Sequence, residues 1–125
     1  MDLSINIRPT SLPPWHEPKA DQLDARLVQG NINLNFETCR VMRGRRIVDL
    51  ARKEFLILAC LLEHPDRILS RGELKAIVWG EAAPIEERSI DVYVARLRKR
   101  LSNGRERDPI RTVRGLGYIF DVPLK

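Results

Sequence analysis

The 125-residue sequence is poor in the residues that build metal centres and disulfide frameworks. It has two cysteines, Cys39 and Cys60, and two histidines, His16 and His64, and these four residues are scattered along the chain. A zinc site needs several ligands that lie close together, so we expect no metal centre. Both cysteines lie in apolar-periodic segments, which predicts two reduced, buried thiols in a cytoplasmic protein.

Long hydrophobic runs and catalytic constellations are also missing. No apolar run approaches the roughly 18 residues that a membrane span needs. The first residues lack the charged, apolar and small-residue regions of a secretion signal. No nucleophile–base pair, metal cluster or phosphate-cradling loop stands out, so we expect neither an enzyme nor a cofactor-dependent protein. Residues 1–24 contain four prolines and no apolar period, which predicts a linker or disordered tail before a single domain over residues 25–125.

The first half of the predicted domain changes from a strand pattern to a helix pattern. Between Arg26 and Val48 apolar and polar residues alternate, with turn signals that include Gly30 and Gly44. This pattern predicts an antiparallel meander of about four strands. Apolar residues at helical spacing then predict a helix over residues 51–64, for which Asp49 is the alternative cap because alanine at position 51 cannot cap.

The second half predicts two further helices and a hairpin. Ser70 and Glu73 have the spacing of a capping box, which predicts a helix that runs to Trp79. Another helix follows at RSIDVYVARLRKRL, residues 88–101, and Asn103-Gly104 would end it. The stretch PIRTVRGLGYIF, residues 109–120, then reads as two strands joined by a tight turn.

The helix over residues 88–101 is apolar on one side and basic on the other. Four apolar residues, at steps of four, three and four, form its predicted core stripe, namely Ile90, Val94, Leu97 and Leu101. The opposite side carries Ser89, Val92, Tyr93, Arg96 and Lys99 or Arg100. Such a face suits a DNA major groove, because the arginine can bond two acceptors of one guanine. A solvated surface helix with basic residues near its C-terminus explains the same pattern equally well, so both interpretations stay open on this helix alone.

The distribution of charge adds weight to an anionic partner. The chain has a net charge of +5, and residues 88–114 contain nine basic and three acidic residues, a local net charge of +6. This segment therefore accounts for the whole basic excess. The turn after the helix adds Arg114, although an exposed turn residue alone would be unremarkable.

Three motifs together resemble a known family. The stretches LSRGELKAIVWG, EERSIDVYVARLRKRL and IRTVRGLGYIF strongly resemble the C-terminal effector domain of OmpR/PhoB-type response regulators, nearest to the phosphate-regulon branch. The resemblance covers residues 26–123. It implies an α+β winged helix-turn-helix, with an N-terminal four-stranded antiparallel sheet, three helices and a C-terminal β-hairpin wing. It also implies sequence-specific binding of double-stranded DNA and control of transcription.

The resemblance assigns a role to individual residues. The recognition helix would span about 86–102 and lie in the major groove, and the wing would span 110–121 near the minor groove or the backbone. Arg96 would read bases and Arg114 would enter the minor groove. The other implied contacts are Ser89, Val92 and Tyr93 in the groove, Arg88 and Arg98 at phosphates, and Thr112 and Tyr118 supporting backbone contact. Lys99 is a further candidate from its place on the basic face, and a solvated surface residue is the alternative.

The resemblance also implies partners other than DNA. Residues 79–87 match the loop that contacts RNA polymerase, often its sigma subunit, with Trp79, Gly80, Glu81, Ile85 and Glu87 as candidates. A large aromatic residue at a helix end, such as Trp79, is more often part of the core than a contact. Two copies would bind tandem direct-repeat half-sites head to tail. The chain has no room for the family's receiver domain, so we expect an excised fragment or a stand-alone effector.

Three positions depart from the family pattern, and one alternative function remains. Ala51 replaces the usual Thr or Ser, Tyr93 an often-found His and Ala95 an often-found Arg, which bears on the phosphate contacts and half-site and not on the fold. The alternative is a protein-interaction module that docks on RNA polymerase or another regulator without sequence-specific DNA binding. The acidic, proline-broken stretch over residues 81–87 favours that alternative.

Overall fold

The order of helices and strands confirms the predicted winged helix-turn-helix. The computed structural model describes residues 26–104 and 106–121, so the predicted tail over residues 1–24 lies outside the described residues. Within the described part, no helix is long and apolar enough to cross a membrane. The elements are β1 (Arg26–Gln29), β2 (Ile32–Asn35), β3 (Arg40–Arg43), β4 (Arg46–Val48), α1 (Arg52–Glu63), α2 (Arg71–Val78), α3 (Arg88–Leu101), β5 (Ile110–Val113) and β6 (Gly117–Phe120).

The four N-terminal strands form the predicted antiparallel meander, in the order β1-β2-β3-β4. Leu34 pairs with Val41, and both side chains are buried against the helices. The opposite face carries Val28 and Ile47, each more than half exposed. The sheet therefore covers the helices with one face only, as a two-layer domain requires.

The prediction that both cysteines are buried is wrong for Cys39. Cys60 is fully buried in α1, and burial, followed by the charge of Glu63, raises the pKa of its thiol to about 12. Cys39 is exposed and is the last residue of the β2–β3 turn, with φ 57°. The turn is longer than the sequence suggested, because the Asn35 side chain accepts hydrogen bonds from the amides of Glu37 and Thr38.

Helix α1 is the central element of the core. Its residues from 54 to 62 are all buried, and Phe55 packs edge-to-face on Phe36 at 5.8 Å between ring centroids. The N-cap is Ala51, so the prediction of Asp49 as the cap is wrong. The side chain of Glu54 instead accepts a hydrogen bond from the Ala51 amide at 3.0 Å, which supplies half of a capping box.

Helices α2 and α3 complete the helix-turn-helix. The predicted capping box of α2 is confirmed, because Ser70 accepts from the Glu73 amide and Glu73 accepts from the Ser70 amide. The predicted stripe of α3 is fully buried. Two arginines from β3 and β4, Arg43 and Arg46, donate to the Leu101 carbonyl and so hold the C-terminus of α3.

The C-terminal hairpin of β5 and β6 is attached to the domain by its second strand. Tyr118 exchanges two backbone hydrogen bonds with Leu69, at 2.8 and 2.9 Å, and Phe120 is buried in the core. Gly117 permits this approach, because a Cβ at that position would lie 2.1 Å from the Leu69 oxygen. The hairpin therefore projects beside α3 from a fixed base.

Candidate nucleic-acid interface

Helix α3 exposes the predicted basic face along most of its length. Arg88, Arg96 and Lys99 are exposed, and Val92 is 50% exposed. The face opposite the core stripe is thus open to a partner. Within the described residues, Lys99 makes no side-chain hydrogen bond or ion pair.

Arg96 and Tyr93 belong to a short stack of cations and aromatic rings. The guanidinium of Arg96 lies 5.9 Å from the centroid of the Tyr93 ring. That ring packs edge-to-face on Trp79 at 5.0 Å, and the Lys53 ammonium lies 5.1 Å from the Trp79 centroid. Cations over aromatic faces are attracted by the ring quadrupole, so Tyr93 supports Arg96 without neutralising its charge.

The two predicted phosphate contacts differ in their surroundings. Arg88 is exposed and pairs only weakly with a neighbour, since its ion pair with Glu86 at 2.7 Å is itself open to solvent. Arg98 is half-buried and is already engaged by the hairpin: it donates to the Ile110 carbonyl at 2.8 Å and to the Thr112 hydroxyl at 2.7 Å. The same guanidinium pairs with Asp108 at 3.1 Å.

Arg100 is exposed, but its guanidinium is bound to other elements of the fold. Its guanidinium forms an ion pair with the carboxylate of Glu54, at 3.4 Å, and donates to the Asp49 carbonyl at 3.1 Å. The Glu54 side chain is only 2% exposed, and a buried carboxylate needs such a partner. This contact separates Arg100 from Lys99, which the sequence left together.

The wing presents Arg114 at its tip and Tyr118 at its base. Arg114 is exposed, while Tyr118 is buried and its hydroxyl donates to the carboxylate of Asp91 at 2.5 Å. Burial, followed by the hydrogen bond to Asp91, raises the pKa of Tyr118 to about 12. The Thr112 hydroxyl is occupied by Arg98. Thr112 is nevertheless exposed and keeps its hydroxyl proton for another acceptor, whereas Arg114 extends from the domain on the turn itself.

The predicted polymerase loop, residues 79–87, connects α2 to the N-terminus of α3. Trp79 is half-buried and packs against the core, as does Ile85. Glu81 and Glu87 are exposed, and Gly80 adopts a positive φ of 105°. The loop thus offers carboxylates to a partner while its apolar side chains serve the fold.

Sequence reasoning missed Asp91 and Arg71. Arg71, near the start of α2, pairs with Asp91 at 3.0 Å. The signal was an acidic residue within an otherwise basic helix, but its partners lie on other elements and no periodicity points to them. No group of three or more residues able to bind a metal is found among residues 26–104 and 106–121.

Comparison with known proteins identifies the family to which the sequence is similar. Residues 44–120 match the family model described as "Transcriptional regulatory protein, C terminal". The chain is 45% identical over 103 residues to a phosphate regulon transcriptional regulatory protein PhoB of Rhizobium meliloti, which covers 82% of this chain and 45% of that protein. The chain spans less than half the length of the curated relatives it matches.

Two solved DNA complexes have the same fold. The DNA-binding domain of Klebsiella pneumoniae RstA, in complex with RstA box, has a TM-score of 0.69 at 32% identity, over 78% of this chain and 98% of that one. The DNA-binding domain of the response regulator AdeR, in complex with an intercistronic region, has a TM-score of 0.70 at 28% identity, over 77% of this chain and 99% of that one. Both similarities cover a DNA-binding domain almost completely.

Proposed function

Because the chain belongs to the family of C-terminal transcriptional regulatory domains of OmpR/PhoB-type response regulators, we propose that it binds specific sequences of double-stranded DNA and regulates transcription as an output domain. One observation carries the proposal: α3 presents an open face with Arg96, Val92 and Lys99, beside a hairpin that extends Arg114. The RstA and AdeR domains share this fold, and both were solved in complex with DNA.

The proposed contacts divide between bases and phosphates. Arg96 reads a guanine in the major groove, since its guanidinium is exposed and charged. Ser89, Val92 and Tyr93 line the same groove, and Arg114 enters the minor groove. Arg88 and Lys99 contact phosphates. Arg98, Thr112 and Tyr118 support these contacts from the base of the wing, because their polar groups already bond within the domain.

The partners beyond DNA follow from the same surface. Two copies bind tandem direct-repeat half-sites about one helical turn apart, head to tail. The exposed carboxylates of Glu81 and Glu87 provide the contact to RNA polymerase, with its sigma subunit as the proposed target. The proposed place of action is the cytoplasm.

Selection of bound duplexes from a random pool tests the proposal directly. We expect one preferred sequence, present as two direct repeats, and an affinity that falls steeply with salt, because phosphate contacts release counterions. A pool that yields no preferred sequence, with binding that depends on salt alone, would contradict specific recognition.

Arg96→Ala tests the assignment of the base-reading residue. On the selected duplex it should cost about 1–3 kcal/mol and relax base preference at one position. The matched control is Arg45→Ala, which removes the same charge from the exposed β3–β4 turn, outside the proposed interface. Equal affinities for Arg96→Ala and the wild type would make the groove assignment wrong.

The alternative function is a protein-interaction module. The exposed carboxylates of the loop over residues 79–87 favour it, since they would repel DNA and suit a basic partner. A failed selection combined with direct binding of RNA polymerase, lost in Glu81→Gln and Glu87→Gln, would support this alternative.

A further inference from the structure

The wing is tied to α3 by one acidic side chain. Asp91 accepts the Tyr118 hydroxyl on one carboxylate oxygen, at 2.5 Å, and the Arg71 guanidinium on the other, at 3.0 Å. Its two oxygens therefore join three elements: α2, α3 and β6. Hydrogen bonds to a charged acceptor are roughly twice as strong as neutral ones, which makes this junction stiff.

The hairpin needs such an attachment. A two-stranded hairpin is marginally stable alone, and this one has only four residues in each strand. Its base is fixed by the backbone pairing of Tyr118 with Leu69. Only one residue pair, Val113 with Gly117, separates the pair of Tyr118 and Thr112 from the turn that carries Arg114, a distance of roughly 3.3 Å per residue along the strand. The position of Arg114 relative to α3 therefore depends on how Tyr118 is held.

A second side chain of α3 reinforces the same attachment. Arg98 lies seven residues after Asp91, two turns along the same helix face. Its guanidinium lies 5.5 Å from the Tyr118 ring centroid and donates to Thr112, the residue paired with Tyr118 across the hairpin. Asp91 and Arg98, both on α3, thus contact the same cross-strand pair of Tyr118 and Thr112.

We propose that Asp91 is a positioning residue: through the Tyr118 hydroxyl it sets the offset between the wing and α3, so that Arg96 and Arg114 contact one DNA duplex together. The proposal rests on the DNA-binding function proposed above. Asp91 itself does not contact DNA, since its carboxylate is occupied by Tyr118 and Arg71 and would repel phosphates.

A double-mutant cycle, measured as affinity for the selected duplex, tests whether the bond between Asp91 and Tyr118 acts through Arg114. Tyr118→Phe keeps the buried ring and removes only the hydroxyl. Arg114→Ala should weaken binding by about 10-fold in the wild type and by less than about 3-fold in Tyr118→Phe, because a poorly held wing has already lost the contact. The base preference at the position read by Arg96 should stay unchanged in both variants.

Asp91→Asn and Asp121→Asn provide a matched pair for the same cycle. Each removes one carboxylate charge that is paired with arginine, but Asp121 pairs with Arg107 and Arg111 at the other end of the hairpin. Asp91→Asn should reduce the effect of Arg114→Ala, as Tyr118→Phe does, whereas Asp121→Asn should leave it at about 10-fold.

Amide exchange on the free protein separates this proposal from the proposed function. The Leu116 amide, bonded to the Val113 carbonyl at the turn, should exchange faster in Tyr118→Phe, while the α1 amides keep their wild-type rates. Unchanged exchange at Leu116, or an equal cost of Arg114→Ala in all backgrounds, would overturn the role of Asp91. Faster exchange in a protein that selects no DNA would overturn the proposed function, and with it the role of Asp91 in positioning Arg114 on DNA, but not the attachment of the wing by Asp91.

Discussion

Arg98 and Lys99 are adjacent in sequence but have different surroundings. At 3.6 residues per turn, successive side chains of α3 point about 100° apart. Arg98 faces the hairpin and bonds to Ile110 and Thr112, whereas Lys99 faces solvent. The same positive charge therefore serves the fold at one position and remains available for a phosphate at the next.

Replacing each of these two residues with alanine should separate the two roles. Lys99→Ala should weaken binding of all sequences and reduce the slope of log affinity against log salt by about 1, because one phosphate contact is lost. Measured in the Arg114→Ala background, where a loosened wing has no contact left to lose, Arg98→Ala should leave that slope unchanged and lower the midpoint of thermal unfolding. A slope reduced by the same amount in Arg98→Ala would show that its guanidinium reaches a phosphate in the complex.

Local patterns in the sequence predicted what depends on near neighbours. The capping box of Ser70 and Glu73 involves residues three apart, and the buried stripe of α3 follows from helical periodicity. The partners of Arg98 and Arg100 were not predictable in this way, because Thr112 and Glu54 lie 14 and 46 residues away. Cys39 was misassigned for a related reason, since strand alternation does not reveal where a turn ends.

At the scale of single elements, the position of β6 against Leu69 depends on its first residue, Gly117. Gly117 has φ 145°, a region that other residues avoid, and its Cα lies against the Leu69 backbone. The hairpin turn also contains Gly115, with φ 77°, where an added Cβ meets no atom of the described residues within 4 Å.

Alanine at these two glycines should have unequal effects. Gly117→Ala should lower the free energy of unfolding by about 3 kcal/mol or more, because both the backbone conformation and the contact with Leu69 are lost. Gly115→Ala should cost only about 1–2 kcal/mol, from the left-handed conformation alone. Urea denaturation of the two variants measures the difference, and equal costs would mean that β6 can move away from Leu69 freely.

The C-terminus of α3 depends on a buried arginine from the sheet. Arg43 is 6% exposed and donates to the carbonyls of Leu101 and Arg107. Arg43→Ala should destabilise the domain by about 2–4 kcal/mol, since a buried side chain is lost, the Arg107 carbonyl loses its arginine donor and the Leu101 carbonyl keeps only Arg46. Arg45→Ala, two residues away and exposed, should change the unfolding free energy by less than about 0.5 kcal/mol. Similar midpoints for both variants in thermal unfolding would contradict this role of Arg43.

For the whole molecule, Tyr118 should make the free energy of unfolding decrease at alkaline pH. The pKa of its hydroxyl rises from 10 to about 12 on folding, because of burial and the bond to Asp91. The unfolded chain releases this proton near pH 10 while the folded protein retains it, so the stabilisation is complete below pH 10 and is lost as pH rises to 12. Urea denaturation between pH 9 and 12 should show this decline, and Tyr118→Phe should show a shallower one.

Helix α3 is fixed at both ends, by Arg43 and Arg46 at its C-terminus and by Asp91 through Arg71 and Tyr118 near its N-terminus. In the DNA complex proposed above, a helix held in this way does not tilt to follow an imperfect groove. The cost of a misfit then falls on the duplex, which must bend or twist to bring both proposed grooves into reach. Base steps that no side chain touches should therefore influence affinity, through the stiffness of the DNA itself.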